Sequence, residues 1–242
     1  MKALNVYMNG DVLVAQFNRE KPVNALNREL ERGLVEVCQS AQQDPRVKAI
    51  VLTGGVDRSF CVGGDLTESG EVNTATEVED VAILGVTKPT VAGIDGYAIG
   101  AGLQMALCCD WRVGAATAKV FAQELKHGLS YPIGAYMLEK SLGRAAMSNI
   151  IFGCEPVPIE WGTEQKLFNE IAEAKDIVKE AVSRAAVFGA YPEVTHRRTK
   201  EFVNRSFIAG LHKLAPVAKD IILAGFHSNS AKAHFARVLG RK

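Results

Sequence analysis

Apolar positions recur along this chain with two periods, one of strands and one of helices. Leu4 to Met8 and Val12 to Phe17 are short apolar, β-branched runs joined by Asn9-Gly10. Asn-Gly between such runs predicts a tight hairpin. Pro22 and Asn24 then break the pattern. From Asn27 to Gln42 the residues Leu30, Leu34, Val37 and Ala41 recur at helical spacing with charges opposite, which predicts an amphipathic helix. Ala49-Ile50-Val51-Leu52-Thr53 is an unbroken apolar run ending in Gly54-Gly55, the pattern of a strand buried on both faces in a parallel sheet. Pro89 to Ile94, Trp111 to Ala115 and Lys119 to Ala122 predict further strands, and Leu167 to Ala172 a last one. Ile99 to Cys109 reads as a buried helix whose glycines permit close packing. Shorter helices are expected over Ala75 to Leu84, Gly134 to Leu142 and Ala145 to Phe152, the second of these ending at Gly143. From Ala174 the pattern is helical alone, with Ile177, Val178, Ala181, Val182, Ala185 and Ala186 on one face. Pro192 interrupts it, and Pro216 predicts a second break.

Strand, turn and helix units followed only by helices predict an α/β core with a helical C-terminal region. The chain has 242 residues, is 48% hydrophobic and 23% charged, and has a net charge of +1, the balance of a soluble globular protein. No basic stripe marks a nucleic acid or an anionic membrane as the partner. The least polar stretch, Val91 to Cys109, carries Asp95, Gln104 and several glycines, which argues against a membrane span. The first residues lack the apolar run of a signal peptide, so a cytoplasmic location is expected. Cys38, Cys61, Cys108, Cys109 and Cys154 form no CxxC pair and are odd in number, so they read as reduced thiols, with neither disulfide nor metal site implied.

The candidate chemistry lies between Thr53 and Ile133. Ser59-Phe60-Cys61-Val62-Gly63-Gly64-Asp65-Leu66 and Asp95-Gly96-Tyr97-Ala98-Ile99-Gly100-Ala101-Gly102-Leu103-Gln104 each run from apolar residues into a Gly-rich turn. If residues 63–65 and 100–102 each open a helix, their free N–H groups point at one cleft, and the amides of Gly64 and Ala101 can hold one carbonyl oxygen. Glu124 follows the apolar run Val120-Phe121-Ala122, at a strand end where α/β proteins place their sites. A solvated turn residue paired with Lys126 is the competing reading. Gln104 lies inside an apolar helix, so its amide is either tied to backbone or faces the cleft. Cys108-Cys109 reads as helix packing, His127 as a turn residue, and Arg197, Arg198 and Lys200 as a solvated helix face, one of whose cations could meet a CoA phosphate.

Taken in order, these two segments and Phe121-Ala122-Gln123-Glu124 resemble the crotonase (enoyl-CoA hydratase/isomerase) superfamily over nearly the whole chain. The resemblance implies a spiral ββα core over residues 1–190. It implies a C-terminal helical region over 191–242 that completes the site and builds a homotrimer or a dimer of trimers. It also implies an acyl-CoA thioester substrate with no permanently bound cofactor and no metal. The oxyanion hole falls on Gly64 and Ala101, and the substrate lies against Val62, Gly63, Gly64, Asp65, Leu66, Ala101, Gly102, Leu103 and Gln104. Hydratases of the superfamily carry glutamates at the positions of Gln104 and Glu124, and this chain keeps only Glu124. A narrower resemblance is to the carboxymethylproline synthases of carbapenem biosynthesis, through Tyr97–Gln104, Glu124-Leu125-Lys126-His127-Gly128 and the tail His234–Lys242. It implies malonyl-CoA as substrate, with Glu124, Gln104, Gly64 and Ala101 as the catalytic set. An enoyl-CoA isomerase or hydratase, or a decarboxylating enzyme of polyketide biosynthesis, is the alternative. The Thr67–Thr87 segment is shorter than is usual in the family.

Overall fold

The computed structural model describes residues 2–21, 23–68, 78–238 and 240. Strands β1 (Leu4–Asn9) and β2 (Val12–Phe17) form the expected antiparallel hairpin, with Asn9 paired to Val12. Helix α1 (Arg28–Gln43) follows. Its N-cap is Asn27, whose side chain accepts from the Leu30 N–H. Then come β3 (Ala49–Thr53), α2 (Val78–Gly85), β4 (Thr90–Ile94), β5 (Tyr97–Ile99), α3 (Ala101–Cys108), β6 (Trp111–Ala115) and β7 (Lys119–Phe121). The remaining elements are α4 (Pro132–Leu142), α5 (Arg144–Gly153), α6 (Ile159–Glu164), β8 (Glu170–Ala172), α7 (Ile177–Gly189), α8 (Glu193–His227) and α9 (Asn229–Val238).

Six strands form one sheet in the order β1-β2-β3-β4-β6-β8, parallel from β2 onward, while β5 and β7 pair in a second, parallel two-stranded sheet. Side chains alternate across the large sheet. Val12, Val14, Val51, Val91 and Val113 pack against Ile177, Ala181 and Ala185 of α7. Leu13, Ala15, Ile50, Leu52, Ala92 and Ile94 face the other way, into a core shared with Leu30, Leu34 and Val37 of α1. That double burial is why Ala49–Thr53 carries no polar alternation. Asp95 ties the two sheets together. Its carboxylate accepts from Asp57 N–H (3.0 Å), Gly96 N–H (2.7 Å) and the Thr117 hydroxyl (2.7 Å). It thereby fixes the point where the chain steps from β4 into β5.

Several expectations are corrected. The helix expected from Ile99 begins at Ala101, because Tyr97–Ile99 pairs with β7 and Gly100 turns the chain. Residues 63–65 open no helix. They bridge Leu26 instead. The last strand is only Glu170–Ala172, since Leu167 and Phe168 are buried in the turn before it. Pro216 does not break α8, which runs unbroken from Glu193 to His227. An interior proline costs about 3 kcal/mol, but Leu211 and Ala218 on either side of it are buried to 0% and 1% exposure. The helix is also held to α4 by Tyr136, whose hydroxyl donates to Phe207 O at 3.2 Å. Lys200 is no solvated cation: its ammonium is buried, 2.6 Å from the Asp110 carboxylate and 2.8 Å from Lys88 O. The expected helix over Ala75–Leu84 is found as Val78–Gly85, and residues 75–77 lie outside the described residues.

Candidate active site

Two chain segments close on one another beside the small sheet. Cys61 N–H donates to Tyr97 O and Ile99 N–H to Cys61 O, both at 2.9 Å. Further along, Leu26 N–H donates to Gly63 O and Asp65 N–H to Leu26 O, both at 2.8 Å. In a parallel ladder the two residues flanking Gly64 make these bonds, so the N–H of Gly64 itself points away from Leu26. Gly100 turns the second segment at φ +54°, a conformation that an L side chain resists. Ala101 is then the first residue of α3, and its N–H has no partner in the helix. The turns lie close together. A Cβ on Gly63 would stand 3.9 Å from Ala101 N, and one on Gly102 would overlap the Cys61 carbonyl. Two unclaimed backbone donors from adjacent turns suit one developing oxyanion.

Glu124 begins a 3-10 turn, Glu124–His127, closed by Gly128 in the left-handed region. One carboxylate oxygen lies against Gly100, where a Cβ would clash with it. The other oxygen, Oε2, is buried without a hydrogen-bond partner. Burial raises the carboxyl from its ordinary 4.5 to about 7, against a smaller downward pull from the N–H groups of Glu124 and Gln123. A carboxyl poised there can take or give a proton near neutrality. Across from it, Gln104 is 5% exposed and within hydrogen-bond reach of the Tyr131 phenol.

Two cavities meet at Gly64 and Glu124. The inner one, about 160 Å³, is walled by Ala101, Gln104, Tyr131 and Ile133 and capped by Ile222 and Phe226 of α8. The outer one, about 590 Å³, is bounded by Val23, Val62, Gly63, Ile99, His127 and His234. Gly64, Asp65 and Leu66 line both. Asp65 presents a carboxylate that is already committed: Arg19 lies 2.9 Å away, and the Thr67 hydroxyl and N–H donate to it at 2.6 and 3.0 Å. Burial alone would raise Asp65, but Thr67 and Arg19 outweigh it and hold the group below its ordinary 3.8.

Among the expected site residues, the structure gathers Val62, Gly63, Gly64, Asp65, Leu66, Ala101, Gln104 and Glu124 around these cavities. Gly102 and Leu103 line neither cavity: Gly102 packs on Cys61, and Leu103 is fully buried in the core. His127 stacks on His234 with ring centroids 3.7 Å apart at the outer rim. The sequence reading missed Tyr131, Ile222 and Phe226. The Tyr131-Pro132 pair opening a helix was a usable signal, whereas the return of α8 over the site is tertiary and leaves no local trace. All five cysteines are buried and none is in a disulfide, and burial pushes Cys38 and Cys109 up to about 12. Among the described residues no cluster of His, Cys, Asp and Glu could hold a metal, and no helix is long and apolar enough to cross a membrane.

The model of the family described as enoyl-CoA hydratase/isomerase matches residues 8–235. A carboxymethylproline synthase of Pectobacterium carotovorum subsp. carotovorum is 34% identical over 96% of this chain and 96% of its own length. A short-chain-enoyl-CoA hydratase of Clostridium acetobutylicum is 28% identical over 81% of this chain and 78% of its own length. Among solved structures, ThnE from S. clavuligerus superposes with a TM-score of 0.80 at 29% identity, covering 90% of this chain and 99% of that one. Carnitinyl-CoA hydratase from Mycobacterium avium reaches a TM-score of 0.88 at 23% identity, covering 100% and 97%, a likeness of fold alone.

Proposed function

The chain belongs to the enoyl-CoA hydratase/isomerase family, and on that premise we propose that it decarboxylates malonyl-CoA and joins the resulting enolate to a cyclic imine. The observation that carries this reading is the neutral Gln104 lining the inner cavity with Glu124, which, unlike the hydrogen-bonded Asp65 and Glu68 there, keeps a buried oxygen without a partner. The thioester oxygen sits on the N–H groups of Gly64 and Ala101. Loss of CO₂ leaves its electron pair on the α-carbon as the enolate, and no base is needed for that step. The malonyl carboxylate lies toward Gln104. A glutamate there would repel it by roughly 4 kcal/mol at about 4 Å and an effective dielectric near 20. The amide removes that repulsion and can donate a hydrogen bond.

The enolate carbon then attacks the C=N carbon of an imine such as pyrroline-5-carboxylate, and the ring nitrogen takes up a proton. Glu124 directs water onto the thioester, releasing carboxymethylproline and free CoA. The 34% identical synthase supports this choice of imine. The exposed Phe202, Val203, Val217 and Ile221 of α8 fit burial against further copies in a trimer or a dimer of trimers, which sedimentation at micromolar concentration measures.

The reaction is tested by incubating the protein with malonyl-CoA, with and without pyrroline-5-carboxylate, and following products by mass. Carboxymethylproline formed only when both are present is the expected result. Rapid hydration or isomerisation of an enoyl-CoA with malonyl-CoA left intact assigns the protein to another branch of the family.

A further inference from the structure

Tyr131 stands immediately before α4, is 9% exposed, and has its ring pressed so closely on Gly134 that a Cβ there would overlap it. The ring has one place to be. Its hydroxyl donates to Gly100 O at 2.7 Å, and the same oxygen accepts the Gln104 N–H at 3.0 Å. The Gly100 carbonyl and the Ala101 N–H are opposite ends of one planar, trans peptide unit. Whatever holds the oxygen therefore sets the direction of the N–H. Hydrogen bonds in series also polarise one another. A phenol donating into the peptide oxygen makes the N–H at the far end a stronger donor.

We propose that Tyr131 is a positioning residue for the substrate carbonyl: by donating to Gly100 O it aims and strengthens the Ala101 N–H that holds the thioester oxygen. The chain of bonds runs from phenol to peptide to thioester, and no covalent step is added. The inference rests on the oxyanion reading above. Burial raises the phenol well above its ordinary value, so it stays a donor throughout the working range. Gln104 serves the same peptide from its backbone N–H, while its side chain lines the inner cavity within hydrogen-bond reach of the phenol. Gly134 is part of the device, since any side chain there displaces the ring.

The test reads the substrate carbonyl directly. Butyryl-CoA labelled with ¹³C at its carbonyl is bound to the wild-type protein and to Tyr131→Phe, and the carbonyl stretch is followed by infrared difference spectroscopy. The wild type is expected to lower the stretch relative to buffer, and Tyr131→Phe to lose roughly 10–30% of that shift. With malonyl-CoA, kcat should fall about tenfold while KM stays within about twofold, the mark of an interaction that strengthens in the transition state. As a second variant, 3,5-difluorotyrosine at position 131 keeps the shape and donates more strongly, so the shift should grow. Equal shifts in all three proteins overturn the inference and leave the oxyanion reading standing. No shift in the wild type overturns both.

Discussion

Asp65 and Glu124 line the same two cavities, yet the fold treats them oppositely. Asp65 is buried among donors: Arg19 across from it, the Thr67 hydroxyl and N–H beside it. Arg19 is anchored in turn, donating to Ala25 O, while Asn24 reaches across to Ser59 O at 2.7 Å. That region is a closed network which holds the Gly63-Gly64 turn against Leu26. Glu124 is given burial and almost nothing else, with Oε2 unpartnered. Neighbours decide the first acid and desolvation the second, so one sits below its ordinary value and the other near 7. Carboxylates in a cleft can therefore be sorted by their partners. The satisfied one is scaffold, and the unsatisfied one is available for chemistry.

The largest effect follows from replacing the unsatisfied acid. Glu124→Gln keeps the shape and removes the base, so thioester hydrolysis should fall by about 10²–10⁴. CO₂ release from malonyl-CoA needs no base and should stay near the wild-type rate, so a CoA thioester accumulates. Mass analysis separates the two steps. Equal hydrolysis by both proteins would sink the assignment.

The scaffold acid should behave in the contrary way. Asp65→Asn leaves Arg19 without its counter-charge in a site where its side chain is 17% exposed, and breaking such a pair costs about 3 kcal/mol of stability. Urea unfolding measures it. The catalytic loss should be far smaller than for Glu124→Gln once the protein is folded. A variant as stable as wild type but inactive would reverse the two roles.

Much of this contrast was legible in the sequence. Gly63-Gly64, Gly100-Ala101 and Glu124 stand in short segments whose apolar approach and polar end are local signals, and Ala49–Thr53 declared its double burial. Asp65 and Glu124 could not be told apart, because their partners are remote: Arg19 lies 46 residues before Asp65. Lys200 misled for the same reason. Its partner Asp110 is 90 residues away, so the helix pattern around it read as solvated. Pro216 misled because local propensity was overridden by the packing of α8 on α4. Periodicity reports which face is buried, and not what it is buried against.

The smallest effect is the most discriminating, because it separates the two acids by the sign of a slope. Glu124 moves from 4.5 in the unfolded chain to about 7 in the folded one. Below pH 4.5 both states hold the proton, and the residue costs the fold nothing. Between 4.5 and about 7 the unfolded chain releases the proton while the folded one keeps it, so stability falls as pH rises. Above 7 both are ionised and the penalty levels off. Asp65 runs the other way: its contribution is present above 3.8 and is lost only as pH falls through its lowered folded value. Glu124→Gln removes the titration. The variant should match wild type at pH 4.5 and exceed it at pH 8 by on the order of 2 kcal/mol, or roughly 4–8 °C in Tm for a chain of this size. Thermal melts at half-unit steps from pH 4.5 to 8 give the curve. A gap between the two proteins that stays constant with pH would mean that Glu124 is solvated or paired, and the contrast with Asp65 would fail.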